Sequence, residues 1–420
     1  MKKLLLSIFA SLLLLQSYGQ DNIGTPYSIF GYGLQPENQG PYAAMGGVSA
    51  AMRDNKNINF LNPASYTALD SVRFYFQGAL SGEFAWISTH KESSYYNVAQ
   101  NANLAMALRL RRNLYFSFGF TQKSDVGYDV LYSDIIMGST SNSTFNQNIQ
   151  GEGGLNDLYA GFGWKYRNLS LGINFSFVFG KLEKRQTLMT DIPNSYYIRT
   201  SENKRVHDFL FNPGIQYTFK LSPKSDLILG SSMNFTQKLW AKTEFVSYKV
   251  NTSGTTTMLE NEVLKKGRIV YPFKITSGFN YRYKNKLQIS GDYTFNKMSA
   301  YEEYGRSTYL QDAHKAAFGA SWTPDAMGRF WRQRNSYMAG VYFNRSEAKV
   351  NDRNINTYGV SGGLQIPFFD QRTGHSMQLG IAVDLGVRGT EADGLVRETF
   401  AKLRIHLAFK EFWFMKRKID

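Results

Sequence analysis

Along most of the chain, apolar and polar residues alternate with a period of two. In Leu169-Ser170-Leu171-Gly172-Ile173-Asn174-Phe175-Ser176-Phe177-Val178-Phe179-Gly180, every odd position is large and apolar, and every even one except Val178 is small or polar. Such a segment is a strand with one greasy face and one small, polar face. The pattern returns over 379–387 and 402–409, where Asp384, Lys402, Arg404 and His406 share the face opposite the apolar one. So many small residues on the second face would be unusual in a soluble sandwich. A membrane barrel tolerates them where a plug crowds its wall.

From Val72 onward the period defines segments 72–80, 96–110, 113–122, 157–167, 168–180, 206–221 and 226–235, the last extending toward 250. Seven more lie at 269–283, 286–297, 309–322, 336–346, 355–368, 376–388 and 399–410. The total of 14 is even, as a single-chain outer-membrane barrel requires. Tight polar connections at 111–112, 167–168 and 284–285, with a short one at 222–224, read as periplasmic turns. Long polar stretches at 133–156, 186–205, 248–267 and 296–312 read as extracellular loops. Trp164, Tyr166, Tyr281, Tyr283, Trp322 and Trp413 stand near strand ends, where interfacial aromatic girdles form.

The start of the chain breaks the pattern. Lys2 and Lys3 precede an apolar run from Leu4 to Leu15, and Ser17 and Gly19 occupy the −3 and −1 places of a cleavage site. Residues 1–19 therefore read as a secretory signal peptide, cleaved near Gly19/Gln20. Residues 20–70 are rich in Gly, Asn, Ala and Pro and show no two-residue period, yet Ile58, Phe60, Leu61 and Tyr66 are apolar. They are expected to form a plug inside the lumen; a flexible periplasmic tail is the other reading. The domain order is then signal peptide 1–19, plug or hatch 20–70, barrel 71–412 and basic tail 413–420.

Composition narrows the chemistry. The absence of cysteine excludes disulfide scaffolds, thiol nucleophiles and cysteine-ligated metals. A mean hydropathy of −0.36 beside 15% aromatic residues suits a barrel that is apolar outside and polar inside. The net charge of +15, or +13 without Lys2 and Lys3, is scattered along an exported chain. Nucleic acid is therefore not an expected partner, whereas anionic lipid headgroups and a positive lumen are.

One stretch carries a family resemblance. Met45-Gly46-Gly47-Val48-Ser49-Ala50-Ala51-Met52-Arg53-Asp54 followed by Asn62-Pro63-Ala64-Ser65 resembles the N-terminal hatch of the FadL-type long-chain fatty-acid transport family of outer-membrane proteins. Gly153-Gly154-Leu155 ahead of a strand with Gly161 and Gly163, and the ending Trp413-Phe414-Met415-Lys416-Arg417-Lys418, also resemble a compact branch of it. The resemblance implies an all-β, 14-stranded antiparallel transmembrane barrel plugged by a hatch, with Gly46, Gly47, Arg53, Asp54, Asn62, Pro63 and Ala64 in the gating segment. It implies a hydrophobic ligand taken up from outside, with sideways release at a kink in the third strand as one route. Alternation there is lost over 124–128, so Gly127 is the candidate lateral opening; an ordinary strand end explains the same residues.

Asp384, Arg388, Lys402, Arg404 and His406 are candidate lumen charges, with Arg53 and Asp54 on the hatch. They could latch the hatch to the wall, dock a ligand carboxylate, or simply hydrate the lumen. Catalysis is not expected: the one GxSxG string, Gly359-Val360-Ser361-Gly362-Gly363, continues a strand pattern where a nucleophile elbow needs a strand-turn-helix. No cofactor or metal is called for, because the five histidines are isolated in sequence. The expected function is hatch-gated uptake of hydrophobic molecules such as fatty acids across the outer membrane. The alternative is a non-conducting structural or accessory subunit of an envelope protein complex. Transport requires a continuous apolar pocket between hatch and wall; an accessory subunit requires a filled lumen and a protein partner.

Overall fold

The computed structural model describes residues 24–33, 40–135, 144–192, 195–251, 256–370 and 375–412. The expected signal peptide and cleavage site, Trp413 and the expected basic tail lie outside these residues.

Fourteen antiparallel strands close into a barrel. They are β1 (Arg73–Ser88), β2 (Ser93–Arg111), β3 (Leu114–Ile135), β4 (Thr144–Tyr166), β5 (Leu169–Thr190), β6 (Tyr197–Ser222) and β7 (Ser225–Asn234 with Gln237–Val250). The rest are β8 (Thr256–Tyr271 with Lys274–Tyr283), β9 (Leu287–Asn296), β10 (Ala313–Trp322), β11 (Ser336–Val350), β12 (Arg353–Asp370), β13 (His375–Gly389) and β14 (Arg397–Phe412). β1 pairs with β14 from Arg73↔Phe412 to Ser88↔Arg397, which closes the barrel. The two-residue period explains the wall directly. On β5, Leu171, Phe175, Phe177 and Phe179 face outward and are exposed, whereas Ser170, Asn174 and Ser176 are buried inward.

Three of the four expected long loops are largely strand. β4 begins at Thr144, β5 runs to Thr190, β6 begins at Tyr197 and β8 at Thr256. These extensions stand in water on their outer face, so both faces can be polar; the hydrophobic period fades while backbone pairing continues. β7 and β8 are each broken, at 235–236 and at Pro272-Phe273, level with Pro213 of β6. Proline has no N–H to give a ladder. Side chains of β6 cover the break: Asn212 donates to the Met233 carbonyl at 2.8 Å, and Asp208 accepts from the Trp240 amide at 3.0 Å.

Of the five buried apolar clusters among the described residues, two form layers across the lumen. The upper one joins Tyr32, Leu155, Val178, Leu210, Leu239, Tyr271, Met298 and Tyr301, so the exceptional inward Val178 belongs to a core. The fourth expected loop supplies part of this cap, since Met298–Ala300 forms a short 3-10 helix that turns Met298 and Tyr301 over the mouth. Tyr32 stacks on Tyr271 there at 5.5 Å. The lower layer joins Ile58, Tyr66, Leu69, Tyr75, Tyr115 and Tyr159.

The outward band sets where the membrane lies. Charge on the lipid face costs about 2–4 kcal/mol at mid-depth and at most about 1 kcal/mol near the interface. Phe175→Arg is therefore expected to destabilise the folded barrel in lipid by the larger amount and Phe179→Arg by the smaller, as measured by denaturant unfolding.

Candidate functional site

The residues of 40–70 approach the wall to backbone distance because the wall there has no side chains. Gly163, Gly172 and Gly214 stand opposite one another on β4, β5 and β6. Asn62-Pro63-Ala64 lies on this row: a Cβ on Gly172 would fall 2.3 Å from the Pro63 carbonyl carbon, and one on Gly214 would fall 2.1 Å from Asn62 Oδ1. Across the lumen, Gly319 of β10 pairs with Gly340 of β11, and a Cβ on Gly340 would lie 2.2 Å from the Gly46 amide nitrogen.

The motif residues have local reasons as well. Asn62 caps the 3-10 helix Pro63–Ala68, accepting from the Ala64 amide at 3.1 Å, with Pro63 at a first position that needs no donor. Its Nδ2 donates to the Ala50 carbonyl at 2.6 Å and so ties two turns of the segment together. Gly46 sits at φ 71 and Gly47 at φ 77, a left-handed pair that glycine adopts without strain. Ser361, the centre of the GxSxG string, accepts from the Gly46 amide at 2.8 Å and thus positions this turn.

The two adjacent charges Arg53 and Asp54 are held by neutral partners. Asp54 accepts from the Tyr42 hydroxyl at 2.6 Å and from the Lys56 and Asn57 amides at 2.7 Å. Arg53 is buried and donates to Ser170 Oγ and Thr67 Oγ1, both at 2.9 Å. Burial, reinforced by Arg282, brings the Arg53 guanidinium down to about 10, and it remains charged at neutral pH. Neither forms a salt bridge with the candidate lumen charges among the described residues.

Those lumen charges pair with one another. Arg388 contacts Glu398 at 2.7 Å and Glu83 at 3.7 Å, Lys402 contacts Glu83 at 3.1 Å, and Arg404 contacts Asp384 at 3.0 Å. Tyr342 donates to Asp384 at 3.0 Å. His406 is buried on the same face. The N-terminal end joins this network, as Thr25 donates to Glu398 at 2.5 Å. Glu83, Glu398 and Asp292 were not legible as site residues. Glu83 becomes so only once β1 is known to close on β14, which sets it opposite Lys402. Asp292 accepts from the amides of Ser49 and Ala50 at 2.5 and 2.8 Å, fixing backbone that no side-chain motif marks.

Gly127 is not where the third strand is irregular. It pairs regularly with Glu152, and the register shift lies between Gln122 and Ser124. Gly127 instead receives the N-terminal segment: its carbonyl accepts from the Gly24 amide and from Ser28 Oγ, each at 3.1 Å. Among the described residues, β2 and β3 are paired only along 104–111 and 114–120. Above that level Gly24 fills the seam, between Val98 of β2 and Gly127 of β3. Gly153-Gly154-Leu155 lies within β4 rather than ahead of it.

Between the two apolar layers is a chamber of about 260 Å³. Gly47, Ser49, Phe60 and Leu61 form part of its lining, and its walls include Asn103, Asn174, Asn212, Lys274, Lys315 and Glu347, with Asp157 paired to Lys123 at 3.0 Å. Polar side chains outnumber apolar ones around the chamber, with Phe60, Leu61, Tyr159 and Tyr271 as apolar patches between them.

The closed fourteen-stranded barrel is a fold shared with solved channel and transporter structures. Similar solved structures include a Pseudomonas aeruginosa FadL homologue (TM-score 0.60, 11% identity, 91% of this chain and 99% of that one). They also include the Pseudomonas putida toluene transporter TodX (0.55, 14%, 90% and 99%) and the CymD monoaromatic hydrocarbon channel (0.54, 13%, 90% and 98%). At such identities the likeness is one of fold. The chain belongs to the BamG family, whose model matches residues 1–420. No curated protein matches its sequence significantly. The resemblance to FadL-type channels therefore holds for architecture, while the sequence family is BamG.

Removing Arg388 would leave Glu83 and Glu398 without their shared cation. Arg388→Ala is expected to cost about 3–5 kcal/mol in unfolding free energy, with partial recovery on adding Glu398→Gln. Asn62→Ala, which removes a cap and a buried hydrogen bond, is expected to cost about 1–3 kcal/mol and to speed proteolysis within 40–70.

Proposed function

We propose that this protein is a closed structural barrel that serves as an accessory subunit of an envelope protein complex, its N-terminal 20–70 acting as a fixed plug rather than a mobile hatch. The observation that carries the reading is the lumen. Its chamber is interrupted by charged and amide side chains such as Lys274, Lys315, Glu347 and Asn174 and is capped by packed side chains on both sides, where uptake of an apolar molecule needs a continuous apolar path. Plug and wall meet through backbone contacts on glycine rows and through Asp292 and Ser361, and the lumen charges are matched among themselves. Membership of the BamG family, distinct from the FadL-type channels whose fold it shares, favours a subunit.

A second reading, uptake of hydrophobic small molecules, is favoured by one feature: the seam between β2 and β3, bridged only by residues near Gly24. That is a side exit in waiting if the N-terminal segment withdraws.

Two measurements separate the readings. The full-length protein, purified by tag in mild detergent, is expected to carry a stoichiometric protein partner and no bound fatty acid in native mass spectrometry. Reconstituted alone in vesicles, it is expected to give no toluene or palmitate entry above empty vesicles. Entry that rises further on deleting residues 24–28 would overturn the subunit reading in favour of a seam-gated channel.

A further inference from the structure

The outer surface of β5 to β8 changes character over two pleats. Phe175 packs on Phe211 at 5.5 Å and Phe177 on Phe209 at 5.2 Å, all exposed on the lipid side. The next outward row holds Phe179, His207, Trp240 and Arg268 in register, with His207 against Trp240 at 4.5 Å. The row after that is Lys181, Arg205, Lys242 and Lys266, directly opposite one another across four adjacent strands.

Its height is that of the lipid headgroups. From Leu169, beside the periplasmic turn at 167–168, to Phe179, the strand rises about 25 Å along the barrel axis at ordinary rise and tilt, which is the height of the apolar band of such barrels. The cationic row begins at the next outward position, on the side away from the tight turns.

Four like charges side by side on one face repel and destabilise a sheet unless an anion lies among them. Lys181 has Glu183 at 2.5 Å and Lys242 has Glu244 at 2.5 Å. Exposed Arg205 stands between those two lysines and feels Glu244 but makes no ion pair among the described residues; Lys266, also exposed, makes none. Among the described residues, two acids thus answer a row of four cations, with Arg268 one pleat below.

We propose that this row is a binding site for the phosphate groups of anionic lipids in the outer leaflet. Neighbouring strands lie about 4.8 Å apart, so one phosphate can accept from cations on two of them, with the Arg205 guanidinium offering paired donors. Acyl chains then lie against Phe177, Phe179 and Phe209. The site is independent of whether the barrel conducts.

The test compares the wild-type protein with Arg205→Gln/Lys266→Gln in maltoside detergent, adding diphosphoryl lipid A or its dephosphorylated form. The wild type is expected to retain the phosphorylated lipid in native mass spectrometry and to gain thermal stability from it. The double variant is expected to retain about tenfold less, while melting no lower than the wild type without lipid. Should the double variant fail to insert, Lys266→Gln alone serves, with a smaller loss expected. Equal retention by wild type and variant, or no preference for the phosphorylated form, would overturn the proposal. So would an equal gain in stability from inorganic phosphate, which would make the row a soluble-anion site. Unchanged lipid retention with loss of a stoichiometric protein partner would overturn it as well, by assigning the row to a protein interface.

Discussion

Close approach of one backbone to another is the constraint on which the rest of this structure depends. A chain can fill a barrel to contact distance only where the wall gives up its side chains, and here Gly163, Gly172 and Gly214 do so in one row, with Gly319 and Gly340 across the lumen. The Asn-Pro-Ala turn and the Gly46-Gly47 turn occupy the space released. Everything else inside follows: Asp292 and Ser361 reach main-chain amides, and Asn62 links two turns of the segment. A Cβ on those rows would push the segment into the lumen, and overpacking of that kind typically costs about 1–3 kcal/mol.

Electrostatics is arranged so that inside and outside hardly communicate. Within the lumen, Glu83, Glu398 and Asp384 match Arg388, Lys402 and Arg404, so the buried network is neutral by itself. Groups of the N-terminal chain enter it through a hydroxyl, that of Thr25, rather than through charge. The excess positive charge of the chain is instead displayed where water or headgroups can meet it, as at Arg205 and Lys266.

The strand count and the orientation of the faces were legible because a membrane wall forces a strict period of two. Alternation in 169–180 placed Phe175 and Phe177 outward without ambiguity. Extensions beyond the bilayer were not legible, since 181–190 and 197–205 face water on one side and the hydrophobic signal vanishes although pairing continues. Lumen residues such as Asp384 and Arg388 stood out as charges within apolar strands. Their acidic partners Glu83 and Glu398 did not, because partnership across β1, β13 and β14 exists only after closure. At Gly127 the sequence signal was a break in alternation; what lies there is a regular strand residue that receives Gly24 and Ser28.

The tight seating of residues 40–70 also fixes the order of events during assembly. Asp70 leads straight into β1 beside the last strand, where it pairs with Lys410, and the chain before it reaches up to Gly127 in the upper half. A segment held at backbone contact leaves no clearance through which it could be threaded into a finished cylinder. The first and last strands must therefore zip together around it, so the N-terminal chain is a mandrel on which the wall is wrapped. Variants that loosen it should be lost during biogenesis, before any function of the mature barrel is called upon.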